Sequence, residues 1–378
     1  MTVPATADAL TPEWVGAQLR SRGVVATADP VVGAERIGTG LVGQSIRLSL
    51  TWPNGVDAPT SLVAKLPSPD PTSRATGVGL RNYEREVRFY REVAAATPVR
   101  LALCWAAEID PITSDFVVLL EDLAPGEVGD QMRGCSLREA EVAIDVAAAM
   151  HAGWWSHERL AEFATWMSVP ADAERAEQLA MLWTMAWPLF LERHGPRLGS
   201  ARIADCERFG ASIGSWVLDR SGPYTLTHGD FRVDNMMFGS EPDVWMVPVD
   251  WQTPTIGPGI GDVSYFLGAS LLPEIRKMHE GRLVRRWHEQ ILAVDPEYGW
   301  ARCWEDYRRL AFGGLVMAVA ASMLTQQTVR GDEMFFTMAQ RHLQAALDLR
   351  AYDLLEKAPD AQRSNEPVKV SHPADTVA

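Results

Sequence analysis

The stretch LTHGDFRVDNMMF (226–238) holds His228, Asp230 two residues on, and Asn235 five residues beyond that. A carboxylate and an amide at this spacing suit transfer of a phosphoryl group to a hydroxyl. Asp230 can orient the hydroxyl and take its proton as general base. Asn235, at the far end of the loop, can offer a neutral amide oxygen to Mg²⁺, where another carboxylate would bind the metal too tightly. Fifteen residues later, VWMVPVDWQ places Asp250 at a strand end, in the position of a second metal ligand. One carboxylate and one amide meet magnesium's demand for few protein ligands, with phosphate oxygens and water completing the shell. Each residue alone reads as an ordinary turn or strand cap; their order and spacing together point to the chemistry.

Three neighbours join this set. His228 is counted with the catalytic residues and reads as a brace of the loop through hydrogen bonds. Arg232 reads equally as a contact to the γ-phosphate, stabilising charge that develops in transfer, or as a surface arginine. Asp262, in GPGIGDVSYFL, is placed to cap the following helix and to pin the backbone of the catalytic loop.

A phosphate-holding side must face these groups. IGTGLVGQS (37–45) carries Gly38, Gly40 and Gly43. The spacing G-x-G-x-x-G fits a dinucleotide loop, and the stretch comes near a P-loop, but both must open a helix, and the P-loop needs lysine where Gln44 stands. These glycines run instead into SIRLSLTW, where Ile46, Leu48 and Leu50 alternate with polar residues as a strand does. A glycine flap between antiparallel strands is the reading that survives. Asn54-Gly55 then signals a hairpin, and the next strand carries Lys65 among Leu62, Val63, Ala64 and Leu66. A lysine in that setting needs a partner. In RNYEREVRFYREV, Tyr83, Glu86, Tyr90 and Val93 share one helical stripe, so Glu86 points toward the sheet and requires a countercharge. Glu84 lies one turn from Arg88 and reads as a solvated pair. Lys65–Glu86 is therefore the expected ion pair, holding Lys65 against the α- and β-phosphates.

The elements that must position these groups follow. A helix is predicted over 11–22, with Thr11 as cap, Pro12 in the first turn and Gly23 as stop. Strands follow in VVGAERIG, SIRLSLTW and TSLVAKLP, then a helix over about 80–96 and a buried strand FVVLL (116–120). Beyond Leu123 the chain turns helical, opening with a capping box at Ser136 and Glu139 and interrupted by a strand-rich patch at 224–250. The expected division is an N-terminal lobe 1–122, a helical lobe 123–356, and a tail 357–378 that is poor in large apolar residues and expected to be disordered.

Composition removes several alternatives. The chain has 378 residues, 47% of them hydrophobic, and a formal net charge of −14. Such acidity argues against a nucleic-acid partner. The four scattered cysteines offer neither a disulfide framework nor a zinc site. There is no basic, apolar N-terminal run of a signal peptide. LAFGGLVMAVAASML (310–324) is short for a membrane span and reads as a buried helix. A soluble cytoplasmic protein with no membrane partner is expected.

At HGDFRVDN, VDWQ followed by a Gly/Pro-rich stretch and GDVSYF, LLEDL and AMHAGWW, the sequence resembles the aminoglycoside phosphotransferase and choline kinase-like superfamily, near its ecdysteroid-kinase-like branch. HGDFRVDN also resembles kinase domains fused to acyl-CoA dehydrogenases that act on hydroxyacyl-CoA. The resemblance covers about 35–355. It implies an α+β, protein-kinase-like bilobal fold with an antiparallel-sheet N-lobe, one main helix there, and a mostly helical C-lobe. It implies ATP between the lobes, backbone contacts to it from Glu121 to Leu123, Asp230 as base, and Mg²⁺ on Asn235 and Asp250. Trp251-Gln252 replaces the Phe-Gly of protein kinases, so a mobile switch is not expected. No Ala-Pro-Glu motif follows, and protein substrates are not expected. Ser45 stands where protein kinases carry an apolar residue over adenine.

The acceptor is the least legible part. The region 154–220 is rich in tryptophan: Trp154, Trp155, Trp166, Trp183, Trp187 and Trp216. Core packing is the first reading. A pocket for a flat or greasy hydroxylated acceptor, with Trp183 and Trp187 one turn apart on its wall, is the second, and it leans the reading toward an apolar metabolite. An antibiotic O-phosphotransferase and a catalytically silent nucleotide-binding protein are the alternatives. The intact Lys65, Asp230, Asn235 and Asp250 set argues against silence.

Overall fold

A computed structural model describes residues 2–355 apart from 25–28, 39, 41, 54–55, 170–172, 221, 241 and 325–326. The expected hairpin signal Asn54-Gly55 and the expected tail 357–378 lie outside the described residues.

The N-terminal lobe is built on an antiparallel sheet of five strands, β1 (Val31–Ile37), β2 (Gly43–Thr51), β3 (Ser61–Pro67), β4 (Cys104–Ile109) and β5 (Phe116–Glu121), in the order β1-β2-β3-β5-β4. Its two faces are covered separately. Phe116, Val118 and Leu120 pack with Tyr83, Val87, Phe89 and Val93. Val117 and Leu119, pointing the other way, pack with Ile46, Leu48 and Leu50 and with Trp14, Val15 and Leu19 of helix α1 (Pro12–Ser21). Burial on both faces explains why FVVLL is apolar without alternation. Thr11 caps α1 through a bond from Trp14 N of 3.2 Å, and Gly23 ends it with φ +72°.

Two features correct the sequence reading. Besides the expected helices, α1 and the main helix that begins as α3 (Asn82–Arg88), the described residues include a short helix α2 (Pro71–Gly79) that the sequence reading did not place. The helix expected over 80–96 is regular only to Arg88. It then widens into a π-turn, Phe89–Val93, and tightens into a 3₁₀ turn, Ala94–Ala96. The stripe reading nonetheless holds, since Tyr83, Glu86, Tyr90 and Val93 are all buried.

The remainder is mostly helical. A short strand β6 (Glu127–Val128) leads to α4 (Leu137–Gly153), whose capping box forms through Glu139 N to Ser136 Oγ and Ser136 N to Glu139 Oε2. Helices α5 (Leu160–Phe163), α6 (Ala173–Leu198), α7 (Ser200–Gly210) and α8 (Ile213–Leu218) follow. The strand-rich patch resolves into β7 (Thr225–Thr227), β8 (Met236–Phe238), β9 (Met246–Pro248) and β10 (Thr255–Gly257). These strands form two small sheets, β10-β7 and β6-β8-β9. Helices α9 (Ile260–Ser270), α10 (Pro273–Leu292), α11 (Trp300–Arg309), α12 (Gly313–Leu324), α13 (Val329–Asp348) and α14 (Tyr352–Leu355) complete the lobe. The apolar run at 310–324 continues α11 through a 3₁₀ turn, so the helical stretch Trp300–Leu324 is, by length and composition, long and apolar enough to cross a membrane. Its buried residues, among them Leu315, Val319 and Phe312, pack in the core of the helical lobe.

Candidate active site

The catalytic loop leaves β7 at Thr227, makes a 3₁₀ turn at Val233–Asn235 and enters β8. Asp262, on the first turn of α9, holds its start. Asp262 Oδ2 accepts from His228 N at 2.7 Å and Oδ1 from Gly229 N at 3.1 Å. The expected pinning role is present, but the expected capping role is not: no side chain caps α9, and Asp262 lies inside it. Its carboxylate is braced in turn by His151 Nε2 at 3.2 Å. Trp287 Nε1 donates to His151 Nδ1 at 3.0 Å, which places the imidazole proton on Nε2, toward Asp262. Gly229 has φ +79°, and a side chain there would collide with the Thr253 carbonyl.

Asp230 is fully engaged. Tyr265 OH donates to its Oδ1 at 2.7 Å, Asn235 Nδ2 to its Oδ2 at 2.7 Å, and Arg232 Nε lies 3.2 Å from each oxygen. Burial resists the charge, but Arg232 and the Tyr265 bond outweigh it, and the carboxyl sits below its ordinary value. Tyr265 titrates well above the ordinary range, through burial and then the Asp230 charge, so it remains a neutral donor. Arg232 is folded back rather than extended: Nη1 donates to Asp234 Oδ2 at 2.6 Å and reaches Met334 Sδ at 3.5 Å. Burial disfavours its charge, while Asp230 and Asp234 raise its pKa. In this geometry it positions Asp230, and neither of the two sequence readings of Arg232 included that task.

His228 braces as expected. Its Nε2 donates to the Val249 carbonyl at 2.9 Å, joining the loop to the strand that delivers Asp250. The β8–β9 ladder pairs Met236 with Pro248, and Val249 N donates to Asn235 O at 2.9 Å. Asn235, just before β8, and Asp250, just after β9, are thereby brought to the same end of this ladder. Asn235 Nδ2 also donates to Asp230 O at 2.9 Å. With its nitrogen committed to Asp230, the amide turns its oxygen to the other side. Asp250 has φ +67°, a conformation that costs a non-glycine residue energy and recurs at functional sites.

The surroundings of Lys65 are assembled from three elements. Lys65 Nζ lies 2.5 Å from Glu86 Oε1 and 2.6 Å from Asp250 Oδ1. Burial disfavours the ammonium, but Asp250 and Glu86 outweigh it and raise its pKa. Glu84 instead pairs with Arg81 on the surface at 2.7 Å. In the sheet register Ser45 stands opposite Lys65, and Gly43 opposite Pro67. Gly38 has φ +69°, and a side chain on Gly40 would come within 2.9 Å of the Gly43 carbonyl, so the β1–β2 turn requires glycine at both positions. Tyr83 OH fastens the turn by donating to Val42 O at 2.7 Å. Glu121 and Leu123 lie where β5 leaves the sheet. The Glu121 carboxylate accepts from Arg100 and Leu103 N at 3.1 Å, and the Leu123 carbonyl from Gly126 N at 2.9 Å.

The tryptophans take their first reading. Trp154, Trp166, Trp183, Trp187 and Trp216 are all buried, and Trp183 stacks on Trp187 at 5.6 Å inside the helical core. Trp155 is only partly buried, and these contacts lend the second reading, a tryptophan-lined acceptor pocket, no support of their own.

Sequence reasoning missed Tyr265, His151 and Gln252, whose side chain donates to Glu86. A signal existed for the first: Tyr265 follows Asp262 by three residues and so shares its helix face. Among the described residues no three His, Cys, Asp or Glu gather in a metal cluster. The donor set present is the amide oxygen of Asn235 and the carboxylate of Asp250, which fits magnesium bound largely through phosphate and water.

Comparisons with known proteins agree with this architecture. Residues 201–294 match the profile of the ecdysteroid kinase-like family. Over 56 residues the chain is 41% identical to acyl-CoA dehydrogenase family member 10 of Mus musculus, a match spanning 15% of this chain and 5% of that protein. A protein of Ralstonia eutropha, described as a candidate aminoglycoside phosphotransferase, superposes with a TM-score of 0.53 at 16% identity, covering 89% of this chain and 98% of its own. Choline kinase from Cryptosporidium parvum superposes with a TM-score of 0.51 at 13% identity, covering 86% and 91%. The chain thus has the bilobal fold of these structures, and its resemblance to the aminoglycoside phosphotransferase and choline kinase-like superfamily is borne out.

Proposed function

We propose that the protein is a small-molecule kinase that transfers the γ-phosphoryl group of ATP to an acceptor hydroxyl. The observation that carries this reading is that two hydrogen-bonded sets, Lys65 with Glu86 and Asp250, and Asp230 with Asn235, are tied to each other through Val249, whose N donates to Asn235 O and whose carbonyl accepts from His228. The division between the lobes is placed at 122–123, with the nucleotide between them. Lys65, held by two carboxylates, neutralises the α- and β-phosphates, and the glycine turn of Gly38, Gly40 and Gly43 covers them with backbone N–H groups. Asn235 and Asp250 would hold Mg²⁺, which when bound neutralises charge on the phosphate oxygens. The backbone at Glu121 and Leu123 is the proposed edge for the base.

Asp230 accepts the hydrogen bond of the acceptor hydroxyl and turns its oxygen toward the γ-phosphorus. The acceptor O–P bond forms as the bond to the β-phosphate oxygen breaks, ADP leaves, and the hydroxyl proton passes to Asp230. A carboxylate that already accepts from Tyr265, Asn235 and Arg232 is a weak base. It suits a loose transition state, in which orientation counts for more than proton abstraction. The proposed acceptor class is a hydroxylated small molecule. A soluble, cytoplasmic setting is the one that composition supports.

The test is ADP release from Mg²⁺–ATP across aminoglycosides, choline-like alcohols, sugars, sterols and hydroxyacyl-CoAs, with Asp230→Asn as control. Turnover above the control on any acceptor supports the kinase. ATP binding with silence across the panel favours a nucleotide-binding protein.

A further inference from the structure

The three residues 250–252 do more than end a strand. Asp250 meets Lys65, and Trp251 stacks on Phe89 at 3.9 Å with planes 6° apart. Gln252, 7% exposed, sends Nε2 to Glu86 Oε2 at 3.2 Å, the oxygen that Lys65 does not use. Its carbonyl accepts from Asn82 Nδ2 at 3.3 Å at the start of α3. Its amide also lies under the glycine turn, where a Cβ on Gly43 would stand 3.4 Å from Nε2. One side chain of the C-terminal lobe thus touches the helix that carries Glu86 and the end of the flap.

We propose that Gln252 is a positioning residue that fixes Glu86, and through it Lys65 and the flap, in the phosphate-holding arrangement. Glu86 is fully buried, and a buried carboxylate needs its second oxygen satisfied as well as its first. Lys65 satisfies Oε1 and Gln252 satisfies Oε2. Only a donor serves here. Glutamate at 252 would set two carboxylates side by side, with Asp250 as a third anion nearby and Lys65 as the shared cation. The inference rests on the kinase reading of this site.

Five variants, the single Glu86→Gln among them, test it by equilibrium binding of Mg²⁺–ATP and by the KM for ATP against kcat. Gln252→Met keeps the volume and removes the donor; Gln252→Glu keeps the shape and adds a charge. Gln252→Glu should weaken ATP binding about tenfold or more, the scale of one like-charge contact, and clearly beyond Gln252→Met. The exchange Glu86→Gln with Gln252→Glu restores an amide–carboxylate pair and should bind ATP more tightly than Gln252→Glu alone, a coupling of opposite sign to simple damage. Glu84→Gln, in the exposed pair with Arg81, should bind as wild type. Equal effects of Gln252→Glu and Gln252→Met, or additive losses in the exchange, overturn the inference while wild-type ATP binding stands. Wild-type protein that binds no Mg²⁺–ATP overturns the kinase reading, and this inference with it.

Discussion

The two sides of the cleft are built differently. The phosphate side draws Lys65 from β3, Glu86 from α3, and Asp250 and Gln252 from the segment after β9. Its members belong to different lobes and are joined by opposite charge at Lys65 and by one amide donor at Gln252. The catalytic side gathers Asp230, Arg232, Asn235, His228, Asp262, Tyr265 and His151 from one lobe, and most of its bonds run to neutral donors or backbone. The first side depends on how the lobes meet. The second is over-determined within its own lobe, and a single lost bond leaves others in place. Damage to the first should therefore appear in nucleotide binding, and damage to the second in turnover.

The largest expected effect is at the junction of the two. Asp250→Ala removes the partner of Lys65 and a proposed metal ligand, and should abolish Mg²⁺-dependent nucleotide binding; calorimetry that finds Mg²⁺–ATP affinity retained would refute its role. Asp230→Asn should keep ATP affinity and lose at least ~10²-fold in kcat, the scale of a lost general base. Tyr265→Phe removes one of several donors to Asp230 and should cost about tenfold in kcat with ATP affinity unchanged. A shift in ATP affinity instead would erase the contrast between the sides.

The smallest effect concerns acid. His342 packs behind Tyr265 at 5.3 Å and is fully buried, with its pKa pushed down to about 3 by burial and then by Arg276. The unfolded chain binds this proton near the ordinary value of about 6.5. The neutral ring's contribution is thus complete above that pH and is lost progressively as pH falls toward 3. Urea melts between pH 4 and 7 should show His342→Leu losing part of this acid dependence.

Much of the Lys65–Glu86 arrangement was legible because its signals are local. Period-two alternation marked β2, and the stripe of Tyr83, Glu86, Tyr90 and Val93 aimed the right carboxylate at Lys65. The spacing of Asp230, Asn235 and Asp250 was legible because one loop and one ladder carry all three. What escaped depends on distant partners. Strand β4, CWAAEI, lacks alternation because its burial is only partial along most of its length. His151 and Tyr265 reach the loop from α4 and α9, over separations that no local pattern encodes. The tryptophans could not be decided by composition alone, since bulk and flatness serve a core as well as a pocket; their burial matches the first reading, core packing.

Trp251 has a thermodynamic consequence. It is fully buried between Phe89 and His228. Swinging Asp250 out of the cleft would strip this indole from its packing at about 3 kcal/mol or more, by the scale of buried tryptophan truncation. A conformer with that penalty holds under roughly 1% of the molecules at equilibrium. The resting population is therefore nearly all in the arrangement that joins Asp250 to Lys65.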